Sequence, residues 1–111
     1  MTFSTERTGS TLIVKLCGEI DQHCASEIRD DIDREIDIGS HVSTVVLDLE
    51  NVGFMDSSGL GMIMGRYRKI SAMGGRLVIK NPKPQVDKVL ELAGIKKLLS
   101  NSAADFGGKL K

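Results

Sequence analysis

A chain of 111 residues has room for one domain built on one core. Hydrophobic residues make up 41% and charged residues 27%, a globular rather than a disordered balance, and fifteen Lys and Arg cancel fifteen Asp and Glu. That balance excludes a general electrostatic grip on nucleic acid, and no apolar run is long enough to span a bilayer.

The two cysteines, Cys17 and Cys24, form no CxxC pair, so neither a disulfide framework nor a zinc site is expected. The opening Met1-Thr2-Phe3-Ser4-Thr5-Glu6 lacks the basic start and apolar stretch of a signal peptide. The expected location is the cytoplasm, away from membranes.

Residues 3–7 read as a first strand, Thr8-Gly9-Ser10 as a turn, and residues 11–17 as a second, β-branched strand that Gly18 ends. Cys17, inside that apolar run, reads as a small core residue. A helix is expected over residues 22–38, because Ala25, Ile28, Ile32 and Ile36 recur at steps of three and four and share a face. Asp21 is its expected N-cap and Gly39 its stop.

Residues 44–49 are apolar on both faces at the start, as a central parallel strand should be. A second helix follows over residues 57–72, with Leu60, Ile63, Tyr67 and Ile70 turned inward. Its cations Arg66, Arg68 and Lys69 suit the negative end of the helix dipole. They also belong to a basic part of the chain, set against an acidic stretch from Asp21 to Asp37, and both read as solvated faces.

Gly74-Gly75 breaks that helix, residues 76–80 form a strand, and Pro84 suits the first turn of a third helix with Val86, Val89, Leu90 and Ala93 as its stripe. Gly94 caps it, Leu98-Leu99 suggests a last short strand, and residues 102–106 suggest a fourth helix before Gly107-Gly108. Residues 101–111 read as a tail prone to fraying.

The fold class is therefore α/β. An N-terminal β-hairpin leads into a largely parallel mixed sheet packed by about four helices, all in one domain over residues 1–111. Parallel strands end on one edge, where such folds carry sites. The segments 18–21 and 51–57, read as loops leaving two strands, bring Glu19, Asp21, Asp56, Ser57 and Ser58 to that edge.

Phe54-Met55-Asp56-Ser57-Ser58-Gly59-Leu60-Gly61 is the most unusual segment. One reading is a capped helix start. The other is a smooth entrance shaped for another surface, since capping alone asks for neither Gly59 nor Gly61, each costing about 1 kcal/mol relative to alanine. A phosphate on a serine here meets free amides and the positive end of the dipole. The fold tolerates it, whereas a partner fitted to the neutral serine does not.

Catalytic readings are weaker. His23 and His41 are the two histidines, no GxSxG elbow is present, and His23 reads as an exposed helix-start residue. Gly59-x-Gly61-x-x-x-Gly65 matches a dinucleotide fingerprint only loosely and lies inside a helix. Asp48, Glu50 and Asp56 lack the spacing of metal ligands. No catalytic residue, metal site or cofactor is expected.

The ordered set Gly18-Glu19-Ile20-Asp21, Leu47-Asp48-Leu49, Asp56-Ser57-Ser58-Gly59-Leu60-Gly61, Gly74-Gly75 and Leu92-Ala93-Gly94-Ile95 resembles the STAS domain, specifically the bacterial anti-sigma factor antagonists. Gly65-Arg66-Tyr67 is most similar to the sporulation type. The resemblance implies that the unphosphorylated protein binds an anti-sigma factor and so releases a sigma factor. It implies that this partner is also a serine kinase, supplying its own ATP, and that it phosphorylates Ser57 and so ends the complex. A PP2C-type phosphatase would reset the switch. Glu19, Asp21, Asp56, Ser58, Gly59 and Gly61 would line the docking face. Two further readings stand beside it: a passive STAS subunit of a stress-signalling complex, and a small nucleotide-binding enzyme.

Overall fold

The computed structural model describes residues 2–38 and 41–101. The element order is β1 (Thr2–Thr8), β2 (Thr11–Ile20), α1 (Ala25–Asp37), β3 (Thr44–Met55), α2 (Ser57–Ala72), β4 (Arg76–Lys80), α3 (Pro84–Leu92) and α4 (Ile95–Asn101). The strands lie in the order β1-β2-β3-β4. β1 and β2 form the antiparallel hairpin, and the β2–β3 and β3–β4 pairs are parallel.

Strand periodicity sorts the two faces of the sheet. Leu12, Val14 and Leu16 on β2 alternate inward with Val45, Leu47 and Leu49 on β3, and all are buried. Cys17 falls out of phase with them and is exposed, not a core residue as its apolar neighbours suggested. The buried face packs beneath Ala25, Ile28, Ile32 and Ile36 of α1, Ile63 and Ile70 of α2, Val86 and Leu90 of α3, and Ile95 and Leu99 of α4. Each large side chain so buried contributes roughly 1.5–3 kcal/mol of transfer free energy. On α2 the inward face also takes Met62 and Arg66, while Leu60 and Tyr67 are half-buried against the core.

Both strands leading to the site run further than their sequence suggests. Gly18 adopts φ 121°, a conformation that L side chains rarely take, and β2 continues through it to Ile20. β3 likewise runs on to Met55, with register shifts opposite Lys15/Cys17 and Gly18/Glu19. At each shift β3 carries one residue more than β2, so the buried positions step by three, from Leu49 to Val52 to Met55. The segments expected to be loops are therefore bulged strand ends.

Other boundaries move for local reasons. α1 begins at Ala25, its N-cap position is Cys24, and Asp21 caps one turn earlier by accepting from the backbone of His23 at 3.0 Å. α4 occupies residues 95–101, so Leu98 and Leu99 are helical rather than a last strand: Gly94 at φ 80° ends α3 and restarts the chain, and Leu98 donates back to the Gly94 carbonyl at 3.0 Å. The expected stop at Gly39 and the expected helix at 102–106 lie outside the described residues.

Candidate functional site

The carboxyl ends of β2 and β3 are stitched together where the site begins. Glu19 pairs with Phe54 and Ile20 with Met55, and the amide of Asp56 donates to the Ile20 carbonyl at 3.2 Å. This brings the Glu19-Ile20-Asp21 segment beside Asp56 and the start of α2. At the same edge the Gln85 side chain of α3 reaches the Gly53 carbonyl at 3.4 Å. The start of α3, which begins at Pro84, thus lies against the site.

Asp56 is the N-cap of α2. Its Oδ1 accepts from the amides of Ser58 at 2.9 Å and Gly59 at 3.3 Å, and its carbonyl accepts from Leu60 at 3.1 Å. The expectation of free amides at this helix end is corrected here, because Asp56 already occupies those of Ser58 and Gly59. Ser57, the first residue of the helix, is exposed, and Ser58 is half-buried.

Gly59 and Gly61 part company. A Cβ on Gly59 would meet Met55 Cγ at 2.6 Å and Ile20 Cγ2 at 2.9 Å, so its smooth side turns inward onto the strand ends. Gly59 is buried and offers little to a docking partner, contrary to expectation. Gly61 is exposed, with nothing within 4 Å of the same built position. Glu19 is exposed and Asp21 half-buried, and both lie on the edge where the sequence placed them.

Three features escaped the sequence reading. Phe54 is 47% exposed beside Glu19, an apolar patch at the rim of the serine edge. Arg66 is 7% exposed instead of solvated, and its Nε lies 2.8 Å from Asp33 Oδ1, joining α2 to α1. Burial pushes its guanidinium pKa below the ordinary arginine value, Asp33 pulls it back up, and Arg29 lowers it again. The third is an α1–α2 groove that Ser58, Gly61 and Arg66 help line. The one advance signal for the last two is the Asp33/Arg66 and Gly61/Gly65 pattern on facing helices.

His23 is exposed as expected. Among the described residues no cluster of three His, Cys, Asp or Glu side chains could hold a metal ion, and no helix is long and apolar enough to cross a membrane.

Comparison with known proteins places this geometry. The STAS domain model matches residues 2–106. An anti-sigma F factor antagonist of Lysinibacillus sphaericus is 40% identical over 88 residues, covering 79% of this chain and 74% of that protein. The structure of the anti-sigma factor antagonist SpoIIAA in its unphosphorylated form superposes with a TM-score of 0.77 at 38% identity, covering 86% of this chain and 84% of that one. The phosphorylated form of the Bacillus cell fate determinant SpoIIAA gives a TM-score of 0.70 at 37% identity, covering 86% of each chain.

Proposed function

The chain belongs to the STAS domain family and, within it, to the anti-sigma factor antagonists, and from that premise we propose how its serine edge works. The unphosphorylated protein binds an anti-sigma factor and thereby releases a sigma factor. The partner is itself a serine kinase, and its transfer of phosphate to Ser57 ends the complex. A PP2C-type phosphatase restores the binding form, and the cycle runs in the cytoplasm.

The observation that carries this reading is the placement of Ser57. It is the exposed first residue of α2, fixed by the Asp56 cap and flanked by the Glu19–Asp21 strand end. A hydroxyl held there is presented to a second protein by a rigid frame. Phosphorylation adds about −1.5 to −2 of charge at that spot. Neighbouring Glu19, Asp21 and Asp56 are already acidic, so a partner surface that fits them has to accept a further dianion at close range. Half-buried Ser58 is less open to a kinase.

The test is mass spectrometry after incubation with ATP and a candidate anti-sigma kinase, joined to calorimetry of the complex. One phosphate on Ser57, appearing only with the kinase, is the expected result. Ser57→Ala should bind the kinase and resist release, and Ser57→Asp should bind poorly. Equal affinity of Ser57→Asp and the unmodified protein would refute charge exclusion. Absence of phosphate with every such kinase would favour a passive subunit.

A further inference from the structure

A groove of about 380 Å³ runs between α1 and α2, lined by Ser26 and Arg29 on one side and Ser58, Gly61, Gly65 and Arg66 on the other. It stays open because of its glycines. A Cβ at Gly61 or Gly65 would meet nothing within 4 Å, so neither residue is required by packing inside the domain. Glycine weakens a helix interior relative to alanine, and α2 carries both without an internal reason.

The groove also holds an incompletely used cation. Arg66 is 7% exposed, and its Nη1 has no hydrogen-bond partner among the described residues. Its Nε approaches Asp33 Oδ1 at 2.8 Å, an ion pair whose angle is too bent to count as a hydrogen bond. A buried guanidinium is ordinarily satisfied along both edges, and its planar fork matches two oxygens of a carboxylate or phosphate. Arg29 lines the same groove, and Asp30 engages it through Nε at 3.0 Å. Each nearby carboxylate thus holds an arginine through a single nitrogen.

We infer that this groove is a binding site for a small oxyanion, a phosphate or carboxylate group borne on few other atoms. The volume lies at the low end for ligand sites. Arg66 supplies a desolvated positive charge in the groove wall, Arg29 supplies charge at the rim, and the side chains of Ser26 and Ser58 can donate from either wall. An occupant would lie against Ser58, one residue from Ser57. This inference does not depend on the proposed function.

The experiment is a nitrogen–proton NMR titration of the unmodified protein with sodium phosphate and, separately, with sodium malonate. Sodium chloride at matched ionic strength is the control. The expected result is saturable shifts at the amides of Ser26, Arg29, Gly61 and Gly65 and at the Arg66 side chain, with the better probe telling phosphate from carboxylate recognition. Gly65→Leu, whose Cβ meets no atom within 4 Å and whose longer side chain extends into the groove, should raise the midpoint about tenfold, the worth of one charge-assisted contact. Arg29→Gln, at an exposed position, should raise it about threefold and carries the test if Gly65→Leu does not fold. No saturable shift with either probe overturns the inference. So does an unchanged midpoint in both variants, or a response confined to residues 57–59, which would assign binding to the helix end.

Discussion

Two alanine substitutions, two residues apart on α2, should change stability in opposite directions. Alanine gains up to about 1 kcal/mol over glycine in a helix interior. At Gly61 nothing opposes that gain, because a Cβ there meets no atom within 4 Å. At Gly59 the new methyl would sit 2.6 Å from Met55 Cγ, 2.9 Å from Ile20 Cγ2 and 3.3 Å from the Ile20 carbonyl oxygen. Neither carbon is the free end of a long side chain. The Ile20 carbonyl also accepts from Asp56, so it cannot retreat without loosening the site. Such overpacking costs about 1–3 kcal/mol, which leaves Gly59→Ala about 1 kcal/mol less stable than the unmodified protein. Gly61→Ala should be more stable by up to about 1 kcal/mol. Urea unfolding reads the difference directly, and with a slope of about 1–3 kcal/mol per molar the two midpoints should separate by roughly 1 M. A Gly59→Ala protein as stable as the unmodified one would show that Gly59 is not held by internal packing.

Asp56→Ala removes the acceptor for two amides and should cost about 1 kcal/mol, whereas Asp56→Asn should keep most of the cap; equal urea midpoints for both would contradict this. Gly75→Ala places a methyl 2.6 Å from the Ser43 carbonyl oxygen, which Arg76 already engages at 2.9 Å, and should cost about 1–3 kcal/mol by the same assay. A double-mutant cycle on Asp33→Ala and Arg66→Ala should return a coupling of about 1–2 kcal/mol, between exposed and fully buried pairs, because the side chains are 29% and 9% exposed; zero coupling would mean that the pair does not join α1 to α2.

Where a single periodicity governs a segment, the sequence was legible. The three-four spacing of Ala25, Ile28, Ile32 and Ile36 identified the buried face of α1, and the bounds of α2 and β4 match those read from the residues. The strand ends were not legible, because bulges replace the two-residue period by steps of three, and Leu49, Val52 and Met55 then look like an irregular loop. Cys17 was misread because hydrophobic character in a run says nothing of phase; its neighbour Leu16 takes the core side. Arg66 was misread because composition gives a charge its usual place, whereas its partner Asp33 lies on another helix. The acidic and serine residues of the edge were found because topology alone brings parallel strand ends together. Which glycine faces inward was hidden, since Gly59 and Gly61 differ only in what surrounds them.

The Asp56 cap also decides how a phosphate at Ser57 can act. The amides of Ser58 and Gly59 are taken by the Asp56 carboxylate, so a phosphate on Ser57 cannot draw on them without displacing that cap. It keeps the attraction of the helix N-terminus, about 0.3–1 kcal/mol for an exposed anion. Against that stands repulsion from the adjacent carboxylate, about 1.5–2 kcal/mol for a phosphate of −1.5 to −2 charge at 4 Å in water. The repulsion exceeds the attraction by about 1 kcal/mol. Phosphoserine installed at position 57 by expanded-code translation should therefore lower unfolding stability by about 1 kcal/mol. The same modification in an Asp56→Asn background, freed of most of that repulsion, should be stabilising relative to its own unmodified parent. Thermal unfolding of the four proteins measures both differences. A loss above about 2 kcal/mol in the Asp56 protein would mean that phosphate melts the start of α2, and the signal would then be a change of shape. A loss of only about 1 kcal/mol would instead make the proposed signal a change of charge on an unchanged frame, read by contact with the serine edge.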